Sequence, residues 1–168
     1  MSRKEEIQNA YQSVGSHTGF YDGMMTYGNL AGKLLCRLVW NMDKGKNLYY
    51  REKVLSSIPK DFSGKLLEIP VGTGIMTLPL YKGLPNAEIV CMDYATEMMA
   101  PAKERAALAG IENIHFQQGD VGALPFPEES FDIVLSMNGF HVFPDKEAAY
   151  QEVFRVLKSG GIFCGCFY

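Results

Sequence analysis

The chain has 168 residues and a formal net charge of -3 at pH 7, with 47% hydrophobic and 21% charged residues. This length and balance are typical of one ordinary globular domain with a real core. The small negative charge gives no electrostatic reason to expect nucleic acid or an anionic membrane surface as a partner, and no apolar run approaches the roughly 18–20 residues of a membrane span.

The N-terminus, MSRKEEIQNAYQ, is charged and lacks the apolar stretch of a secretory signal. The four cysteines, Cys36, Cys91, Cys164 and Cys166, form no CxxC pair and no ligand spacing typical of a metal site. Buried, reduced thiols are the simpler interpretation. We therefore predict a cytoplasmic protein without a bound metal.

The first sixty residues differ in character from the rest of the chain. Residues 15–28, GSHTGFYDGMMTYG, are too rich in glycine for a long regular element, and helical apolar spacing follows them. Tyr21 and Tyr27 would close over a ligand, although packing in a core explains these aromatic residues almost as well. We expect residues 1–60 to form a helical cap or lid and residues 61–168 to form the ligand-binding domain, in one compact unit.

The most informative stretch is KLLEIPVGTG, residues 65–74, which predicts a strand, a glycine turn and the start of a helix. Its apolar run ends in Glu68, and Gly72 and Gly74 follow in the turn. Glycines let the backbone come close to a ligand, and a helix start presents unpaired N–H groups. The pattern predicts a nucleotide-like ligand without saying which one.

Apolar runs alternate with helical patterns from here to the end of the chain. The predicted strands cover residues 65–69, 88–92, 114–117, 131–137 and 161–167, and the predicted helices cover 75–82, 96–109 and 146–157. Thr96 is expected to cap the second of these helices. The alternation predicts right-handed crossovers and a doubly wound, mostly parallel α/β sheet of about five strands.

In such a sheet the ligand lies beyond the carboxyl ends of the strands. Asp93 follows the second strand, where an acid can accept both ribose hydroxyls of an adenosine; a helix cap or a solvated loop acid is the alternative. Asp120 follows the third strand, where it could accept a hydrogen bond from an exocyclic amine beside the N–H of Val121. An ordinary Gly-Asp turn is the alternative there.

In this order, LLEIPVGTG, IVCMDYATEMM, GDVGALPFPEESFDIVLSMNGFHVF and EVFRVLKSGGIF resemble the motifs of the class I S-adenosylmethionine-dependent methyltransferases. The resemblance is closest to the branch that includes the ubiquinone and menaquinone C-methylating enzymes, and it covers about residues 60–168. Each motif alone is weak, but their joint occurrence is specific. The resemblance implies a Rossmann-like fold, S-adenosylmethionine as cofactor and a small-molecule methyl acceptor.

The resemblance also implies roles for individual residues. Glu68 would anchor the methionine ammonium group, while Gly72 and Gly74 would let the backbone approach the methionine and the ribose. Asp93 would hold the ribose hydroxyls. The adenine would be contacted by a further set: Met92 and Tyr94 on its flanks, and Asp120 and Val121 at its edge.

Ser136 and Asn138, at the end of the fourth strand, would lie beside the sulfonium and the carboxylate of the cofactor. Methyl transfer is an in-line displacement, so a general base is needed only if the acceptor must lose a proton. His141 is the best candidate for that base, and a packed or loop histidine is the simpler interpretation. The acceptor atom, whether carbon, oxygen, nitrogen or sulfur, stays open.

Two features depart from the family pattern. Pro70 stands where the family usually has its first glycine, and because proline fixes φ near -65° and lacks an N–H, we expect a reshaped turn and weaker cofactor binding. The sequence also stops at Tyr168, near the end of the fifth strand, whereas the family's sheet continues with a helix and two more strands. We expect a truncated form, or a partner such as a second copy that covers this apolar edge.

Two other functions compete with this one. A nicotinamide-dependent oxidoreductase would also place an acid near Asp93, but the third glycine of its fingerprint would fall at Thr77. A non-catalytic protein that binds S-adenosylmethionine or S-adenosylhomocysteine is favoured by Pro70 and the early stop. The acids that would hold the cofactor do not discriminate this protein from an enzyme.

Overall fold

A computed structural model of the chain describes residues 22–23 and 44–166. Its helices and strands, in chain order, are α1 (Lys44–Leu55), β1 (Lys65–Glu68), α2 (Leu78–Tyr81), β2 (Glu88–Asp93), α3 (Thr96–Ala109), β3 (Ile114–Gln118), β4 (Phe131–Met137), α4 (Lys146–Val156) and β5 (Leu157–Cys166). The strands form one sheet in the order β3-β2-β1-β4-β5, and every neighbouring pair is parallel. The predicted five-stranded α/β fold is confirmed.

The three central strands are buried on both faces, which is why they read as continuous apolar runs rather than alternating ones. On one face, side chains from β1, β2 and β4 pack against α2 and α3: Leu66, Ile89, Cys91, Ile133 and Leu135 against Leu78, Tyr81, Met99, Ala102 and Ala106. On the other face they pack against α4: Leu67, Val90 and Val134 against Ala149, Val153 and Val156. The sheet therefore lies between two helical layers.

The described part of the first sixty residues packs on the sheet. Val54 and Leu55 of α1, and the buried Ile58 that follows it, join the core on the α2 and α3 face. The division into residues 1–60 and 61–168 stays a prediction. No helix in the described ranges is long and apolar enough to cross a membrane.

Two predicted element boundaries are wrong. Helix α2 begins at Leu78, three residues later than expected, because residues 75–77 continue the turn, with the Thr77 N–H bonded to the Gly74 carbonyl. Strand β5 begins at Leu157, which already pairs with Phe131. The next pair joins Ile133 to Ile162, so β5 carries extra residues there, including Gly160 at φ +77°.

The predicted cap of α3 is also wrong. Thr96 is the first residue of the helix, and the N-cap residue is Ala95, which offers no side-chain cap. The carboxylate of Asp93 instead accepts the Ala95 N–H at 3.0 Å. An acid at the end of β2 thus fixes the start of α3.

Candidate functional site

A cleft opens at the carboxyl edge of the sheet, where the loops after β1, β2, β3 and β4 meet. The strand order reverses between β1 and β4, and such a switch point is where open α/β sheets bind ligands. Nine of the residues predicted from the sequence line this cleft: Glu68, Pro70, Gly72, Gly74, Asp93, Tyr94, Asp120, Val121 and Asn138. The fold therefore brings together residues from the ends of four strands.

Other predicted residues are not placed in the cleft wall. Met92 is fully buried in the core on the α4 face, and a Cβ added at Gly119 would lie 2.0 Å from its Cε. Ser136 is also fully buried, beneath Gly139. Tyr21 and Tyr27 lie outside the described residues. The cofactor contacts of all four stay predictions.

His141 lies in the loop after β4 and is partly exposed. Its neighbours Val142 and Phe143 line the cleft, but His141 does not. Partial burial and the positive charge of Lys146 lower the pKa of its imidazole. The neutral imidazole, which is the form a general base needs, is therefore favoured at neutral pH.

Glu68 lies at the floor of the cleft and is 1% exposed. Its Oε2 accepts hydrogen bonds from the Thr77 hydroxyl at 3.0 Å and the Tyr81 hydroxyl at 2.8 Å, and from the Cys91 thiol at 3.6 Å. Burial raises the pKa of Glu68 to about 8, and the nearby Asp93 adds to the rise. In the protein without ligand this carboxyl group is therefore mainly protonated at neutral pH.

The turn after β1 uses left-handed backbone at both glycines, with φ of +54° at Gly72 and +66° at Gly74. The Gly72 N–H donates to Oδ2 of Asp93 at 2.8 Å, which ties the turn to the end of β2. A Cβ at Gly74 would lie 2.8 Å from Cδ1 of Leu78. Glycine is thus required at position 74 by both conformation and space.

Asp93 is 7% exposed, and each of its carboxylate oxygens accepts a backbone N–H, one from Gly72 and one from Ala95. Burial raises its pKa, and these backbone hydrogen bonds oppose the rise. A carboxylate oxygen can accept more than one hydrogen bond, so both oxygens keep capacity for a ligand. Tyr94, next in the chain, is 41% exposed at the rim of the cleft.

Asp120 shapes its own loop after β3. Its Oδ1 accepts the Gly122 N–H at 2.9 Å, and its carbonyl accepts the Ala123 N–H at 3.1 Å. This is the short-range pattern of an Asx turn. Asp120 therefore forms the local turn that was the alternative interpretation, and it also lines the cleft as predicted.

The same loop is held from behind by Arg155, in the RVLKSGG motif. Arg155 donates to the carbonyls of Leu124 at 3.0 Å and Phe126 at 2.8 Å, and it pairs with Glu152 at 2.7 Å. Glu152 in turn accepts the Leu124 N–H at 2.6 Å. The motif thus anchors the Asp120 loop from α4 without lining the cleft.

Pro70 follows a cis peptide bond and packs against the loop after β4. A Cβ at Gly139 would lie 2.1 Å from Cδ of Pro70 and 2.7 Å from Oγ of Ser136. The ring of Pro70 therefore fills the space that a side chain at position 139 would need, and only glycine fits there. Asn138, beside it, has φ +56°, a conformation that asparagine adopts more readily than most residues.

Because the Pro70 ring is rigid, Gly139→Ala is expected to destabilise the protein by about 1–3 kcal/mol, as other overpacked sites do. The free energy of unfolding from urea titration measures this loss. Gly122→Ala is the matched control, since its Cβ would meet nothing closer than 3.5 Å. Equal stability of the two variants would show that the loop yields around Pro70.

One contact in the site had no signal in the sequence. Thr73, between the two glycines of the turn, donates its hydroxyl to Oδ1 of Asp22 at 2.5 Å. Arg105 of α3 donates to the Thr73 carbonyl at 2.6 Å and forms an ion pair with Oδ2 of Asp22. These residues are far apart in the chain, so no local pattern predicts that they meet.

Comparison with known proteins gives consistent matches. The methyltransferase domain family matches residues 66–161. A demethylmenaquinone methyltransferase of Thermus thermophilus is 37% identical over 117 residues, which are 70% of this chain and 53% of that protein. The chloroplastic 2-methyl-6-phytyl-1,4-hydroquinone methyltransferase 1 of Oryza sativa is 32% identical over 100 residues, 60% of this chain and 29% of that protein.

Among solved structures, the YcgJ protein of Bacillus subtilis aligns with a TM-score of 0.63 and 32% identity, over 70% of this chain and 50% of that one. A putative sarcosine dimethylglycine methyltransferase of Galdieria sulphuraria aligns with a TM-score of 0.65 and 25% identity, over 73% of this chain and 48% of that one. The chain spans about half the length of the demethylmenaquinone methyltransferases that it matches.

Proposed function

Since the chain belongs to the class I S-adenosylmethionine-dependent methyltransferases, we propose that its cleft binds S-adenosylmethionine and that the protein transfers the methyl group to a small-molecule acceptor. When bound, the cofactor supplies a methyl group already activated by its sulfonium. The protein's part is to bind, to orient and to exclude water.

The observation that carries this proposal is the set of carboxyl groups in the cleft, which can pair with cationic groups once they are ionised. Three carboxyl groups line it, those of Glu68, Asp93 and Asp120, and among its described lining residues there is no lysine, arginine or histidine. Acidic walls suit a ligand that carries an ammonium and a sulfonium group. They do not suit the pyrophosphate of a nicotinamide dinucleotide, which favours backbone N–H groups or basic side chains.

The positions of the three acids support one orientation of the cofactor in the cleft. We propose that Glu68 holds the ammonium group at the floor, that Gly72 and Gly74 let the backbone approach the methionine and the ribose, and that Asp93 accepts the ribose hydroxyls. The adenine then lies against Tyr94. Its edge faces the loop after β3, where the carboxylate of Asp120 and the N–H of Val121 read it.

The buried predicted residues act from behind the cleft in this scheme. Met92 packs under Gly119 and supports the loop that reads the adenine, while Ser136 lies beneath the loop of Asn138. We propose His141 as a general base only for an acceptor that must lose a proton. Its lowered pKa supports that role.

The acceptor is proposed to carry an apolar ring. The residues that line the cleft also include five without charge: Ile75, Met76, Val142, Phe143 and Pro144. These side chains offer apolar surface and no charge. Relatives named as methyltransferases of demethylmenaquinone and of a phytyl hydroquinone support a quinone-like acceptor.

We also propose that the protein works in the cytoplasm and that nucleic acid is not its partner. Cys91, Cys164 and Cys166 are free thiols, which supports a reducing compartment.

Strand β5 lies at the end of the sheet and pairs only with β4 among the described strands. We propose that a partner, such as a second copy, covers its outer edge.

Calorimetric titration with S-adenosylhomocysteine and, separately, with NAD tests the cofactor. We expect one site for S-adenosylhomocysteine and none for NAD, because no basic side chain among the described lining residues would pair with a pyrophosphate. Binding of NAD without binding of S-adenosylhomocysteine would overturn the proposal. Transfer of a labelled methyl group to demethylmenaquinol tests the acceptor, and binding without any transfer would favour the non-catalytic alternative.

A further inference from the structure

The Gly-Thr-Gly turn is held by a closed ring of contacts among three residues. Asp22 accepts the Thr73 hydroxyl with Oδ1 and pairs with Arg105 through Oδ2, and Arg105 donates to the Thr73 carbonyl. Thr73 is therefore fixed through its side chain and its backbone at once. The ring joins α3, the turn and a residue that precedes β1 by more than 40 positions.

This ring is buried enough to be strong. Thr73 is 2% exposed and Asp22 is 8% exposed, while the side chain of Arg105 keeps about a third of its surface in water. Hydrogen bonds to charged groups are stronger than neutral ones, and the loss of one partner leaves the others buried and unsatisfied. A substitution at Asp22 therefore removes two bonds and exposes the turn to rearrangement.

The turn needs such support because glycine is conformationally permissive. Gly72 and Gly74 flank Thr73, and both have positive φ. Glycine has more backbone freedom to lose than any other residue, so a glycine turn without external contacts samples many conformations. Asp93 fixes the turn at the Gly72 N–H, and the ring fixes it one residue later.

We propose that Asp22 is a positioning residue for cofactor binding: through Thr73 and Arg105 it holds the Gly-Thr-Gly turn in the conformation that receives S-adenosylmethionine. This inference rests on the proposed function and deepens it, since it gives Asp22 a role in holding the cofactor site. Coupling between two sites is reciprocal. Cofactor binding therefore stabilises the contacts of Asp22 in return.

The affinity for S-adenosylhomocysteine, measured by calorimetry, tests the ring. Asp22→Asn and Thr73→Val, which keep the side-chain shape, are each expected to weaken binding by about tenfold. Thr73→Ser keeps the hydroxyl and should restore most of the affinity. Asp61→Asn, which neutralises an exposed acid before β1, should leave the affinity unchanged.

Two further measurements separate positioning from general stability. Val153→Ala removes apolar packing on the far face of the sheet, and it should lower the melting temperature without changing the affinity. Hydrogen exchange of the peptide that contains Asp22 should slow when S-adenosylhomocysteine is added to the unmodified protein, and much less in Thr73→Val.

The outcomes are distinguishable. If the unmodified protein does not bind S-adenosylhomocysteine, the proposed function itself fails. If it binds, and Asp22→Asn binds equally well, the positioning role is overturned. Equal weakening by Val153→Ala and Asp22→Asn at the same loss of melting temperature would also overturn it, because the effect would then be one of stability alone.

Discussion

Asp93→Ala is expected to weaken binding of S-adenosylhomocysteine by at least tenfold. The substitution removes the proposed acceptor of both ribose hydroxyls, and it also releases the N–H groups of Gly72 and Ala95. The loss of even one hydrogen bond to a charged group costs about 1.5–3 kcal/mol, which corresponds to one or two orders of magnitude in affinity. Calorimetric titration measures it.

An analogue of S-adenosylhomocysteine that lacks the ribose hydroxyls isolates the direct contact. The unmodified protein should bind this analogue more weakly than the natural ligand, whereas Asp93→Ala should discriminate little between the two. Asp61→Asn is the control for the loss of one negative charge. Unchanged affinity in Asp93→Ala would contradict the ribose assignment, and retained discrimination would assign the hydroxyls to another residue.

Binding of S-adenosylhomocysteine is expected to strengthen by about 50-fold between pH 6 and pH 8. The pKa of Glu68 is raised to about 8 by burial, so only about one carboxyl group in a hundred is ionised at pH 6. An ammonium group binds the ionised form, so the proton must leave first. Calorimetry in buffers of different ionisation enthalpy also counts that proton.

Glu68→Gln is the matched variant, because the amide oxygen can still accept from Thr77 and Tyr81. It should bind weakly and show much less dependence on pH. Any dependence that remains belongs to Asp93, whose pKa is also raised. A steep pH profile in Glu68→Gln equal to that of the unmodified protein would remove Glu68 from the ammonium site.

The proton on Glu68 weakens ligand binding, but it stabilises the fold of the protein without ligand. Between the ordinary pKa of 4.5 and the raised value of about 8, the folded protein holds a proton on Glu68 that the unfolded chain has lost. Stability falls with pH wherever the folded state binds more protons. The contribution of Glu68 is therefore complete below about pH 4.5 and is lost as pH rises towards 8.

The sheet could be predicted because burial on two faces leaves an unmistakable pattern. Strands such as β4 are apolar along almost their whole length, and their predicted ranges agree with the structure within a residue or two. Boundaries governed by side-chain contacts could not be predicted. Helix α3 has its start fixed by Asp93 rather than by Thr96, and β5 starts early because Leu157 pairs across an irregular register.

The site was predictable where a residue ends a strand or lies just beyond it. Glu68, Asp93 and Asp120 line the cleft because parallel strands end at the same edge of the sheet. Met92 precedes Asp93 in β2, and because side chains of a strand alternate between faces, Met92 lies in the core on the α4 face while Asp93 lines the cleft. The ring of Asp22, Thr73 and Arg105 depends on tertiary packing, and no spacing in the sequence encodes it.

Arg155 belongs to a motif typical of the family, yet it does not line the cleft. Its bonds to the carbonyls of Leu124 and Phe126 tie α4 to the loop after β3, which carries Asp120, the proposed contact of the adenine edge. Selection on nucleobase recognition would therefore act on a helix that lies behind the sheet. In divergent members of the family, we expect the loop and the EVFR segment to change together, because a substitution in one alters the hydrogen bonds made by the other.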